Sequence, residues 1–123
     1  MKYILIFTML FSVAKGQQKG DNQIIVHNVT FDQAVNKLLD MNYEILELYK
    51  DYQVMQTKAR NDYSFYIRVK DNVVYIIGTW NFPNTPGSLL IEYGTWPSLK
   101  QRWAVIDNYA KSLGIPEYAK MKD

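Results

Sequence analysis

Apolar and polar residues change their spacing several times along this chain, and each change marks an element. Lys2 precedes an unbroken apolar and small run, Tyr3 to Val13 (YILIFTMLFSV), and Ala14 and Gly16 then place small residues at −3 and −1 before Gln17. This layout predicts a secretory signal peptide over residues 1–16. The run is about half the ~20 residues a spanning helix needs, so no retained membrane anchor is expected.

After a polar leader (QQKGDNQ), Ile24 to Val29 is a short β-branched run that reads as a strand. In Thr30-Phe31-Asp32-Gln33, Thr30 can cap the free backbone N–H groups while Gln33 reaches back, a capping box. Phe31, Ala34, Val35, Leu38 and Leu39 then share one face of a helix, and Asn42 suits a left-handed stop. Tyr43 to Tyr49 and Tyr52 to Arg60 carry tyrosines and β-formers with no helical period.

Tyr63 to Lys70 alternates cleanly, with Phe65, Ile67 and Val69 on one face and Tyr66, Arg68 and Lys70 on the other. Asp71-Asn72 predicts a two-residue hairpin into Val73 to Phe82, because both residues tolerate positive φ. That loop sets Lys70 opposite Val73, Ile67 opposite Ile76 and Phe65 opposite Gly78. Gly78 then leaves room for Phe65 or for a helix close to the sheet. PNTPG (83–87) is a stiff turn, and Leu89 to Tyr93 is a candidate edge strand. Ser98-Leu99-Lys100-Gln101 reads as a second capping box. Behind it Leu99, Trp103, Ile106, Ala110 and Leu113 form an apolar helix face, ended by Gly114 and Pro116.

The pattern predicts one α+β domain over residues 17–123: two layers, with an antiparallel sheet of about five strands and two helices on one face. The order β-α-β4-α, with a strand running into a capped helix (IIVHNVTFDQAVNKLL) and the hairpin YIRVKDNVVYIIGTW, resembles small secreted bacterial domains of unknown function. Those domains have a fold similar to TATA-binding protein, a curved sheet covered by helices. The resemblance implies that fold and an envelope location, and it brings no catalytic residues. DNA binding does not follow from it, since function does not follow from fold.

Charge points the same way. Without Lys2 and Lys15 the 14 basic residues fall to 12, equal to the 12 acidic ones, so no long-range field steers this domain to nucleic acid. Cysteine is absent, which rules out disulfides, a lipid-anchored lipoprotein, a thiol nucleophile and a cysteine metal cluster. The expected location is the bacterial periplasm or exterior.

Catalytic constellations are missing from the sequence. His27 is the only histidine, a poor basis for a zinc or copper site, so no cofactor or metal is expected. Glu44 and Glu47 lie an odd number of positions apart, which on a regular strand places them on opposite faces rather than as a facing pair. Asp51 and Asp71 fall in turns, and the serines lack a nucleophile-elbow context. Asn28-Val29-Thr30 matches a glycosylation sequon, but Thr30 is better explained as a cap.

Aromatic content stands out, with ten tyrosines and three tryptophans. If helices cover the Phe65 face, then Tyr66, Arg68, Tyr75 and Ile77 share the open one. Tyrosine and arginine suit an interface with a protein, peptide or glycan; the plainer alternative is cross-strand stabilisation of a solvent-facing sheet. Trp80 and Trp96 flank the proline turn, as plugs of the core or as the rim of a shallow cleft. The expected function is therefore a non-catalytic binding module of the bacterial envelope, with Tyr66, Arg68, Tyr75, Trp80 and Trp96 as partner-binding candidates. A homodimer formed through the sheet face or edge is the alternative, and a carboxylate hydrolase the third.

Overall fold

The computed structural model describes residues 16–121, so the predicted signal peptide, apart from Gly16, lies outside the described residues. The elements run β1 (Gln23–His27), α1 (Phe31–Asp40), β2 (Ile45–Tyr49), β3 (Val54–Thr57), β4 (Tyr63–Lys70), β5 (Val73–Asn81), β6 (Ser88–Leu90), α2 (Pro97–Leu113) and β7 (Pro116–Ala119). One open antiparallel sheet has the order β2-β3-β4-β5-β1-β7, with β6 paired to the far end of β5.

Local chemistry explains the first helix. Thr30 accepts the Gln33 backbone N–H at 3.1 Å, and the Gln33 side chain accepts the Thr30 N–H at 2.9 Å, so the predicted capping box forms. At the other end Asn42 takes φ 69°, with Tyr43 N–H donating to Leu38 O and Asn42 N–H to Leu39 O. That pair of bonds is a Schellman stop with asparagine in the glycine position. Asp71 and Asn72 take φ 53° and 59°, the two-residue turn their chemistry favours. The predicted register follows: Lys70 faces Val73, Ile67 faces Ile76 and Phe65 faces Gly78.

This register sends Phe65, Ile67, Val69, Val74 and Ile76 to one face with Ile24, Val26 and Met55, all buried. Both helices lie on that face. Tyr109 of α2 packs edge-on against Phe65 at 5.2 Å and donates its hydroxyl to the α1 carbonyl of Ala34 at 2.7 Å. At Gly78 α2 comes very close, since a Cβ there would lie 2.6 Å from Ile106 Cδ1. The room at Gly78 is thus taken by the helix.

Three expectations need correction. The sheet has seven strands rather than about five, and the chain order is β-α-β5-α-β rather than β-α-β4-α, the candidate edge strand being β6 and β7 the addition. β7 was not anticipated, because Pro116 reads as a stop. As the first residue of an edge strand, however, proline loses no ladder bond. The Leu89 to Tyr93 strand shortens to Ser88–Leu90; beyond it Tyr93 exchanges backbone bonds with the leader instead, accepting Gly20 N–H and donating to Asp21 O. Finally, Ser98 caps nothing. α2 begins at Pro97 after Trp96, which makes no side-chain cap bond, because proline at the first helical position fixes φ and needs no acceptor.

Candidate functional site

The face opposite the helices is open, and the register arranges it as cross-strand rows. One row reads Tyr49, Val54, Arg68, Tyr75, Ile25, Glu117, from β2 across to β7. The adjacent row reads Glu47, Gln56, Tyr66, Ile77, with Gln23 beside it. At ~4.8 Å per strand the full row spans about 24 Å. Within these rows lies a shallow trough of about 490 Å³, closed at one rim by Met121.

Each tyrosine in the trough has a planar polar neighbour, and the bond is short only at Tyr66. Tyr49 donates its hydroxyl to Glu47 at 3.3 Å. Gln56 donates its amide to the Tyr66 hydroxyl at 2.8 Å. Arg68 lies over the Tyr75 ring, 4.9 Å from its centroid. The trough is lined by one carboxylate and one guanidinium, Glu47 and Arg68. With a single carboxylate, the facing acid pair of glycoside hydrolysis is not formed in it.

Of the five candidate residues, the structure brings three together. Tyr66 and Tyr75 are half-buried and Arg68 is exposed on the same open face, as the hairpin register requires. Trp80 sits on the helix side at the end of the sheet, with Arg102 of α2 4.2 Å over its ring and Phe82 edge-on at 5.5 Å. Trp96 stands at the α2 N-terminus and is 71% exposed. The tryptophans therefore belong neither to the trough nor to one another's surroundings.

Glu47, Tyr49 and Gln56 were missed as partners of the site. The alternation of Val54 and Gln56 against buried Met55 and Thr57 was available as a signal. For β2 no such signal exists, because a bulge between Ile45 and Glu47 breaks the alternation, and the odd spacing of Glu44 and Glu47 says nothing across it.

A second polar cluster lies behind the sheet. Asp107, buried on α2, accepts Tyr118 OH at 2.8 Å, Gln17 Nε2 at 3.3 Å and Lys111 Nζ at 3.0 Å. The hydrogen bond to Asp107 raises the pKa of the Lys111 ammonium, and burial chiefly raises that of the Tyr118 phenol. These bonds, with Met121 N–H donating to Asn22 Oδ1, tie the leader and β7 to the domain. His27 pairs with exposed Glu117 at 3.2 Å. Among the described residues no group of three metal-ligating side chains forms, and no helix is long and apolar enough to cross a membrane. No family model, curated protein or solved structure matches this chain.

Proposed function

We propose that this chain is a non-catalytic binding module of the bacterial envelope, exported to the periplasm or exterior, that engages its partner through the open sheet face. It is taken as akin to the secreted TATA-binding-protein-like domains that its strand-helix-hairpin pattern resembles. The observation that carries the reading is the trough itself. Three tyrosines, each beside a polar neighbour and Tyr66 firmly bonded to Gln56, stand on the face the helices leave uncovered. Aromatic side chains held in place lose little freedom on binding, which makes such a surface economical to dock against.

The test compares native protein with Arg68→Glu, both ¹⁵N-labelled and recovered from the bacterial periplasm, on addition of a soluble envelope extract. Outward-facing amides of β3, β4 and β5 should shift or broaden in the native protein alone. Unchanged spectra, or changes confined to the helices, refute the reading. Edge strand β2 supports a second one, assembly of copies, because Leu46, Leu48 and nearby Tyr52 are all exposed beside its unpaired backbone. Sedimentation at rising concentration decides it, since a constant monomer mass removes that alternative.

A further inference from the structure

We infer that the occupant of the trough is a neutral oligosaccharide of a few rings, bound without being cleaved. This rests on the binding reading above and goes further by fixing the ligand's chemistry. The first argument is backbone accounting. The trough floor is β3, β4 and β5, each paired on both sides, so their main-chain groups are already used. An extended peptide is recognised most readily by adding a strand to a free edge. Laid across this floor, inward of the β2 edge, it would find no free backbone to pair with and would depend on side chains alone.

The second argument is the kind of polar group that remains. Gln23, Gln56, Glu47 and Arg68 present planar amide, carboxylate and guanidinium groups, offering donors and acceptors side by side. A sugar hydroxyl is both donor and acceptor and can use either. Charge complementarity is the third argument. One carboxylate and one guanidinium leave the trough without net field, which suits an uncharged ligand better than an acidic or basic one. Tyr66, bonded to Gln56, and Tyr49 supply flat apolar surface for the C–H faces of sugar rings, while Arg68 lies over one face of Tyr75. A trough of about 490 Å³ lies within the ~300–1,000 Å³ range of small-ligand sites. With Glu47 the only acid lining it, the bound sugar would lack the second carboxylate that hydrolysis uses.

The experiment titrates the ¹⁵N-labelled domain with maltotriose, cellotriose, xylotriose and tri-N-acetylchitotriose, and separately with a pool of random-sequence peptides. The expected result is a saturable shift by at least one trisaccharide at Gln56, Tyr66, Arg68 and Tyr75. Tyr66→Ala and Gln56→Ala should each weaken it about tenfold, Tyr66→Phe less, and Lys37→Ala on α1 not at all. Unchanged sugar chain length after long incubation completes the pattern. If peptides shift this face and no trisaccharide does, the saccharide inference is overturned while the binding reading stands. If neither probe perturbs the face, the saccharide inference is overturned, and the envelope-extract titration above decides the binding reading separately.

Discussion

Replacing Gly78 by alanine tests which face of the sheet the helices cover, and hence where the trough can be. A Cβ at this position would lie 2.6 Å from Ile106 Cδ1 and 2.8 Å from Cγ1, against an ordinary carbon–carbon separation of ~3.5–4.0 Å. Ile106 is 1% exposed and cannot swing away, so α2 must back off or its core partners must repack. Overpacking of this kind costs about 1–3 kcal/mol. Alanine recovers ~0.5–1 kcal/mol of that through the smaller backbone entropy it loses in a strand. From the middle of each range the net loss is about 1 kcal/mol, a Tm decrease of roughly 4–8 °C for a domain of this size. Ile106→Val removes the atom in closest conflict and alone costs ~0.5–1.5 kcal/mol. The double variant should therefore be more stable than the sum of the single changes, by about 1 kcal/mol in a denaturant-unfolding cycle. An alanine variant as stable as the native protein, or strictly additive changes, would show that α2 does not seat on Gly78.

Thr30→Ala should cost about 1 kcal/mol through loss of the α1 cap, whereas Ser98→Ala should leave urea unfolding unchanged, because Ser98 caps no helix. Asn72→Ala should destabilise by about 1 kcal/mol, since it forces a Cβ residue without local hydrogen bonding to hold φ 59°, and Asn72→Gly should not. Burial pushes the Tyr109 phenol well above its ordinary value, so folding keeps it neutral where the unfolded chain ionises it. Its contribution is full below pH ~10 and is lost as pH rises beyond, by up to ~1.4 kcal/mol per pH unit, in urea titrations at pH 9 to 11. Tyr109→Phe should flatten that alkaline decline while costing about 1 kcal/mol at neutral pH for the lost bond to Ala34.

Most features that a local signal decides were legible in the sequence. The α1 cap, its asparagine stop and the Asp71-Asn72 turn all rest on interactions within a few residues, and the β4–β5 register follows from the turn. Features decided by distant partners were not legible. Pro116 reads as a stop, and only the docking of 116–119 against β1 makes it a strand. Ser98 is a local failure instead: it satisfies a capping pattern, but the adjacent Pro97 begins the helix one residue earlier. At the candidate site, Tyr66, Arg68 and Tyr75 were found because they lie on the hairpin whose register a turn fixes. Their holders, Gln56 on β3 and Glu47 on bulged β2, depend on strand pairings that no short-range pattern encodes.

The core and the trough are consequently one decision, taken at the hairpin. Side chains alternate along β4 and β5, so a slip of one residue between strand and core would send Tyr66, Arg68 and Tyr75 under the helices and leave Phe65 and Ile67 in solvent. The tight Asp71-Asn72 turn opposes such a slip, and so does Gly78 opposite Phe65, where Ile106 of α2 sits too close for a Cβ. The inner face thus has to be apolar and closely packed, and it leaves the outer face free of that demand. On the outer face the aromatic rings are held by polar neighbours instead, Tyr49 by Glu47, Tyr66 by Gln56 and Tyr75 by Arg68. Burial against a helix would have fixed those rings equally well. Holding them by polar contacts, cross-strand at Tyr66 and Tyr75, leaves them on the face no helix covers, which is the arrangement the proposed binding role requires.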